Sequence, residues 1–149
     1  MASINNADNI VAQTGAPLNI YTELGTFTPT ISGATTAGAG TYTTQAGFYH
    51  RIGNVIYVVA TVIWTAHTGT GTLLLTALPF TVRNQANYVP VGTFNPINIA
   101  IPAGGSGSSM TFQLNTTRAA PFVYRANNTN VNYTLGASGT VQYSGFYLK

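Results

Sequence analysis

Cysteine is absent from the 149-residue sequence, and charged side chains are scarce. Without cysteine the chain forms no disulfide and offers no thiolate metal ligand. Only 5% of the residues are charged, whereas an average soluble domain carries about 25%. The two acidic residues, Asp8 and Glu23, both lie near the start, so no carboxylate side chain follows residue 23. The range of chemistry open to this chain is therefore narrow.

The shortage of acids argues against the common forms of acid–base catalysis. A glycosidase needs two carboxylates on either side of its substrate, and a Ser-His-Asp triad needs an acid behind its histidine. His50 and His67 have no such acid after residue 23, and a two-histidine metal site would lack its third ligand. We therefore predict that the protein is not an enzyme and binds no metal and no cofactor.

Nucleic acid and membrane are also poor partners for this sequence. The net charge of +3 comes from five cationic residues scattered along the chain, whereas affinity for nucleic acid requires many cations that neutralise many phosphates. Residues 1–8 lack the basic and apolar regions of a signal peptide, and the longest apolar run, residues 55–64, is about half as long as a membrane helix. Prolines interrupt the long alternating strands that an outer-membrane protein needs, so we expect no membrane insertion.

Threonine, asparagine, glycine and serine supply most of the polar positions. These residues are poor helix formers, while threonine favours strands and glycine and asparagine favour turns. We predict an all-β fold, a β-sandwich or jelly roll of about eight to ten antiparallel strands, in residues 25–149. Residues 1–24 hold both acids and are predicted to form an N-terminal arm or linker.

The clearest local signal is a hairpin within residues 41–65. One side of its first strand is predicted to carry Tyr42, Ala46, Phe48 and His50. Gly53 and Asn54 form a tight turn, because both tolerate positive φ. The return strand, residues 55–65, is apolar on both faces, which indicates that it is central and covered twice, or covered by a neighbouring subunit. Farther on we predict separate strands over residues 88–94 and 97–101, a flexible Gly/Ser turn over residues 103–109, and a loop over residues 126–132.

Binding of an uncharged ligand fits the residues that are abundant. Nine tyrosines and many asparagines combine rigid aromatic faces with neutral hydrogen-bonding groups, which suit sugars. Loops carry binding residues more often than strands do. The candidate ligand-binding residues are therefore those near predicted loops: His67, Arg83, Asn87, Tyr88, Tyr124, Arg125, Asn127 and Asn128. For an anionic glycan, Arg83 and Arg125 are the first candidates.

Two stretches resemble a pattern common in bacteriophage tail-fibre and other virion surface proteins. They are residues 25–32, where the family pattern reads roughly Gly-Thr-Trp/Phe-Thr-Pro, and residues 41–58, where it reads roughly Tyr-Thr-x-Gln-x-Gly-x-Tyr-x-x-Ile-Gly-Asn. Residues 64–71 and Leu78-Pro79-Phe80 are also similar to it, so the resemblance covers about residues 25–80. It implies a terminal, trimeric β-sandwich domain that is displayed on a virion and binds a host surface glycan or receptor. It supplies no binding residues.

A second, shorter resemblance lies at the end of the sequence. Residues 143–148, Tyr-Ser-Gly-Phe-Tyr-Leu, are similar to the last strand of tumour-necrosis-factor-like and complement-type trimeric heads, which lies near the three-fold axis. The mean hydropathy of +0.18 also points to apolar surface that an oligomer would bury. The sequence thus favours a homotrimeric receptor-binding head, assembled in the host cytoplasm and exposed on the virion surface. The alternative is a virion decoration or capsid protein whose role is self-assembly.

Overall fold

All regular structure in the described part of the chain is β-strand. A computed structural model describes residues 10–11, 17–18, 21–127 and 129–149, and within these residues it contains no helix. The strands are β1 (Ile10–Val11), β2 (Pro17–Leu18), β3 (Thr22–Phe27), β4 (Thr30–Gly33), β5 (Gly40–Ile52), β6 (Val55–His67), β7 (Leu73–Thr76), β8 (Val91–Ile97), β9 (Gly105–Gln113), β10 (Arg118–Arg125), β11 (Asn130–Asn132) and β12 (Gly139–Leu148).

Strands β3 to β12 form one curled antiparallel sheet, while β1 pairs with β2. The order in the sheet is β3-β5-β6-β12-β8-β9-β10-β7-β4, and β11 also pairs with β10. The curl brings the β4 edge back beside β5, where the Tyr42 hydroxyl lies 3.3 Å from both the backbone nitrogen and the carbonyl oxygen of Ile31. The predicted all-β architecture of eight to ten antiparallel strands is confirmed. The homotrimer stays a prediction.

The core lies on the inner, concave face of this sheet. On β6 every second side chain is buried, from Ile56 to Trp64, as the two-residue period of a strand requires. Each fully buried aliphatic side chain of this kind contributes about 1.5–3 kcal/mol relative to exposure. Trp64 lies deep in this core and donates a hydrogen bond from Nε1 to the carbonyl oxygen of Gly136 at 3.1 Å, so its polar atom is satisfied.

The predicted β5–β6 hairpin is confirmed and longer than expected, with Gly53 in its turn at a φ of 58°. One assignment within it is wrong, because Tyr42 does not share a face with Phe48 and His50. The β5–β6 register shifts on both sides of Tyr42, and an extra residue in one strand turns the following side chains over. The Tyr42 ring therefore packs against the core.

Two glycine–aromatic pairs join β3 to β5 on the inner face. Gly25 pairs with Tyr49, and Phe27 pairs with Gly47. Each ring lies over the glycine opposite, because an added Cβ would come within 2.5 Å of the Tyr49 ring or 2.6 Å of the Phe27 ring. These four residues belong to the Gly-Thr-Phe and Gly-x-Tyr segments of the virion-protein resemblance, so that part of the pattern has a packing role here.

Three other local predictions are wrong. Residues 105–109, expected in a flexible turn, begin β9, which is hydrogen-bonded to β8 and β10 on its two sides. The two strands expected over residues 88–94 and 97–101 are replaced by the single strand β8, which ends before Asn98 at a φ of 57°. Within the expected loop over residues 126–132, the short β11 pairs with β10. The predicted boundary between residues 24 and 25 stays a prediction; β3 runs across it, and most of residues 1–20 lie outside the described residues.

The strand directions give the sheet two ends. The near end holds the start of β3, the β5–β6 turn, residues 77–90, the β9–β10 turn and the end of β12. There the Arg83 backbone nitrogen donates a hydrogen bond to the Leu148 carbonyl oxygen at 2.7 Å. The far end holds residues 34–39, 67–72, 98–104, 126–127 and 133–138. Along the 13 residues of β6 the two ends are roughly 40 Å apart.

Candidate functional site

Charge is concentrated at the near end of the sheet. Among the described residues, five of the six Lys, Arg and Glu side chains lie there, and only Arg125 lies at the far end. Glu23 accepts hydrogen bonds from the Tyr49 hydroxyl at 2.6 Å and from Arg51 Nη1 at 3.4 Å. The bond from Tyr49 is the largest influence that holds the pKa of Glu23 below its usual 4.5, and the Tyr21 hydroxyl and Arg51 act in the same direction. This cluster fastens the start of β3 to the hairpin.

Two of the near-end candidates anchor the last strand, Arg83 through its backbone and Tyr88 through its hydroxyl. The Tyr88 hydroxyl accepts a hydrogen bond from the backbone nitrogen of Leu148 at 2.7 Å, and the Tyr88 ring packs against the core. Asn87 has a left-handed φ of 61°, a conformation that asparagine tolerates better than most residues. Arg83 and Asn87 are exposed. Two candidate side chains therefore remain on the near-end surface, while the Tyr88 hydroxyl is engaged internally.

His67, at the far end, closes the gap between β6 and β4. Its Nδ1 accepts a hydrogen bond from the Gly69 nitrogen at 2.9 Å, and its Nε2 lies 3.3 Å from the carbonyl oxygen of Ile31. The first contact needs an unprotonated Nδ1, so the neutral ring carries its proton on Nε2 and can donate to Ile31. Both ring nitrogens thus have protein partners. The geometry supports a structural role for this side chain.

The other far-end candidates come from the end of β10 and the loop after it. Tyr124 is 48% exposed, and its ring packs edge-on against Phe122 at 5.1 Å between centroids. The Asn127 side-chain oxygen accepts from the Thr129 hydroxyl at 2.6 Å, which leaves its amide N–H groups on an exposed side chain. The Arg125 backbone nitrogen donates to the Thr129 carbonyl oxygen at 3.0 Å. Asn128 lies outside the described residues.

The candidate set therefore divides between the two ends of the sheet. Arg83, Asn87 and Tyr88 lie at the near end, roughly 40 Å along β6 from the far end, so they cannot share one small ligand with the far-end group. Tyr124, Arg125 and Asn127 lie within four residues of one another, and their side chains offer an aromatic face, a cation and an amide. Tyr124 and Arg125 are consecutive residues of β10 and point to opposite sides of the strand, and the Arg125 Nε is buried with no hydrogen-bond partner among the described residues. The structure gives the positions of the described candidates but does not test whether they bind a ligand. Their role in binding stays a prediction.

A separate surface lies on the convex side of the sheet. We call the outward side chains of β3, β5, β6, β12 and β8 the outer face. Its exposed large apolar residues are Leu24, Phe48, Ile52, Val55, Tyr57, Val59, Val91, Ile97 and Phe146. Sequence reasoning identified part of this surface from the two apolar faces of β6. It missed Leu24 and Val91, because only the strand order brings them to the same surface.

Two absences hold for the part of the chain that the structure describes. No three His, Asp or Glu side chains come together there in a group suited to a metal ion, and none of its elements is a helix long and apolar enough to cross a membrane. No protein-family model matches the sequence, and no curated protein is significantly similar to it. The assignment of function therefore depends on the surfaces themselves and on the sequence resemblance.

Proposed function

We propose that this chain is a non-enzymatic head domain of a virion fibre or spike, homotrimeric, that binds a host-cell surface glycan or receptor. The virion setting comes from the resemblance of residues 25–80 to tail-fibre and other virion surface proteins. The curled antiparallel sheet is compatible with a β-sandwich or jelly-roll head. The domain is displayed on the outside of the particle after assembly in the host cytoplasm.

The segregation of charge is the observation that carries the glycan assignment. The chain enters the sheet at the near end through Thr22 and leaves it there at Leu148, so a fibre shaft joined through the residues before Thr22 would leave the far end outermost. The far-end loops consist largely of threonine, asparagine, serine, glycine and alanine, with Arg125 as the one described cation. Hydroxyl, amide and backbone groups of this kind form hydrogen bonds with sugar hydroxyls without requiring a charged ligand.

Within the far end, we assign the primary contacts to Arg125 and Asn127, with Tyr124 as a further contact for a ligand that spans the end of β10. A half-exposed tyrosine ring can stack on the C–H face of a sugar, while the guanidinium and the amide supply donors. A hydrogen bond to a charged group contributes about 1.5–3 kcal/mol, so loss of Arg125 should weaken binding by roughly 10- to 100-fold.

A glycan array with the full chain, followed by titration of the best ligand, tests this proposal. Arg125→Ala should lose binding, while Arg118→Ala, which changes the same residue type at the opposite end of β10, should retain it. Arg83→Ala provides a second comparison at the near end. Loss of binding in the Arg83 variant but not in the Arg125 variant would refute the far-end assignment.

A virion decoration or capsid protein is the second candidate, and the exposed outer face favours it because self-assembly alone accounts for that surface. The two candidates differ in their response to host surfaces. A chain that assembles and binds neither glycans nor host cells would support the decoration protein and contradict the receptor-binding head.

A further inference from the structure

The outer face concentrates exposed apolar side chains of the described residues on one side of the sheet. It holds nine of the thirteen large hydrophobic side chains that are exposed within the described residues. Leu24, Phe48 and Phe146 are the most open, at 78%, 62% and 60% exposure. Together these nine residues expose on the order of 800 Å², which is similar to one side of a standard protein interface, about 800 Å².

We propose that the outer face is the contact between copies of this chain, so that the convex side of one sheet packs against that of another. This inference names the surface behind the oligomer included in the proposed function, and it rests on that function only in this respect. The charge, the hydrogen bonding and the shape of the face support a contact of this kind. The proposed function sets the number of copies at three, and the measurement below tests that number.

The charge of the face favours a second copy over other partners. The outward residues of its five strands include no Lys, Arg, Asp or Glu. The ionisable side chains among them are those of His50 and Tyr57. Two such faces can therefore meet without burying an unpaired charge, which would be costly. An anionic partner such as nucleic acid would need cations on the surface, and amphipathic surfaces that lie on lipid are typically rich in Lys and Arg on their polar side.

Polar side chains on this face already hydrogen-bond to one another within one chain. The Thr93 and Ser144 hydroxyls lie 2.7 Å apart, and Asn95 Nδ2 donates to Gln142 Oε1 at 3.0 Å. A second copy could cover these pairs without breaking them, so their burial would not leave both partners unsatisfied. These two polar pairs are thus compatible with a buried contact.

The face has projections and hollows that suit packing between copies. A depression of about 430 Å³ lies beside Phe146, between Tyr57 and Val91, and another of about 370 Å³ lies between Leu24 and Phe48. A cavity of about 150 Å³ is enough for a benzene ring, so either depression has room for an aromatic side chain of a second copy. Aromatic residues seated in pockets are typical anchors of protein interfaces.

Sedimentation velocity of the full chain over a range of protomer concentrations tests the proposal. The wild type should be oligomeric, and Phe48→Glu and Phe146→Glu should each raise the dissociation constant by roughly 30-fold or more, the effect of losing an interface anchor. Ile101→Glu is the control, because Ile101 is also 60% exposed but lies in a far-end loop outside the five strands of this face. It should assemble as the wild type does. Thermal unfolding followed by circular dichroism checks that each variant is folded, and Phe48→Ser repeats the test without an added charge.

Three results would overturn the proposal. They are a wild type that is monomeric at every concentration, folded Phe48 and Phe146 variants that remain oligomeric, and an Ile101 variant that dissociates equally. A monomeric wild type whose Phe48 and Phe146 variants bind lipid vesicles less well would assign the face to a membrane surface instead. Glycan binding by a dissociated, folded variant tests the far end independently, so failure of the interface and failure of receptor binding are distinguishable.

Discussion

Two tyrosines on the inner side of β12 should respond in opposite directions to loss of the hydroxyl group. Tyr143 and Tyr147 are 3% and 0% exposed, and burial raises the pKa of both. The Tyr147 hydroxyl donates to the Phe80 carbonyl oxygen at 3.0 Å and accepts from the Phe80 nitrogen at 3.2 Å. The Tyr143 hydroxyl is buried and has no hydrogen-bond partner among the described residues.

The expected free-energy changes follow from these partners. Tyr147→Phe removes two hydrogen bonds with a net value of about 0.5–1.5 kcal/mol each, and it leaves the partly buried Phe80 backbone groups to find water, so it should destabilise the fold by about 1–2 kcal/mol. Tyr143→Phe keeps the ring and removes a buried hydroxyl that has no partner. Burial of such a group costs about 1–3 kcal/mol in protein mutants, so this variant should be more stable than the wild type by about 1 kcal/mol.

Urea unfolding of the two variants at one protomer concentration measures the difference, because an oligomer makes the stability depend on concentration. In thermal unfolding, each 1 kcal/mol corresponds to about 2–4 °C in Tm for a chain of this length. Tyr147→Phe should melt lower than the wild type and Tyr143→Phe higher. The reasoning fails if Tyr143→Phe destabilises the protein as much as Tyr147→Phe does, because the Tyr143 hydroxyl would then have a partner such as an internal water molecule.

Two other predictions concern the β3–β5 pairing. Because the hydrogen bond from Tyr49 helps to hold the pKa of Glu23 below its usual 4.5, the stability that this carboxylate contributes is present above about pH 4.5 and is lost as pH falls further. The stability difference between wild type and Glu23→Gln should therefore shrink below pH 4.5 in urea titrations; a constant difference would contradict the assignment. Gly47→Ala should cost about 1–3 kcal/mol because the Cβ meets the Phe27 ring, whereas Gly136→Ala, with its nearest atom at 3.5 Å, should cost less in the same assay.

The parts of the fold that could be predicted are those with strong local signals. The β5–β6 hairpin has alternating residues on one side, an apolar strand on the other and a Gly-Asn turn between them. The Gly/Ser run at the start of β9 has the composition of a loop, and it forms a strand because β10 pairs with it from Gly105 onward, while β8 joins the other side only from Ser109. At Gly105 an added Cβ would come within 2.6 Å of Val123, so this glycine serves close packing. Propensity yields to tertiary contacts of this kind.

The candidate site was harder to predict, because the end of the sheet that a loop occupies depends on strand order. Arg83 and Arg125 look alike in the sequence, as loop arginines among polar residues. In the structure the Arg83 backbone is hydrogen-bonded to the last strand, while Arg125 lies at the opposite end of the sheet. Local patterns contain no information on this separation. The outer face is likewise built from five strands in register. The sequence indicated an apolar outward side for only one of them, β6.

The scarcity of charge has different consequences for the surfaces of this protein. At the near end, Glu23 and Arg51 form an ion pair, and the Arg51 guanidinium also lies 4.3 Å from the centre of the Tyr21 ring. On the outer face, hydroxyl and amide pairs such as Asn95–Gln142 provide polarity without charge, and such pairs are less costly to desolvate than ions are. A surface of this composition can be covered by another copy more readily than one rich in lysine and glutamate. The low charge content thus favours assembly through the sheet face, while the far-end loops remain open to a ligand.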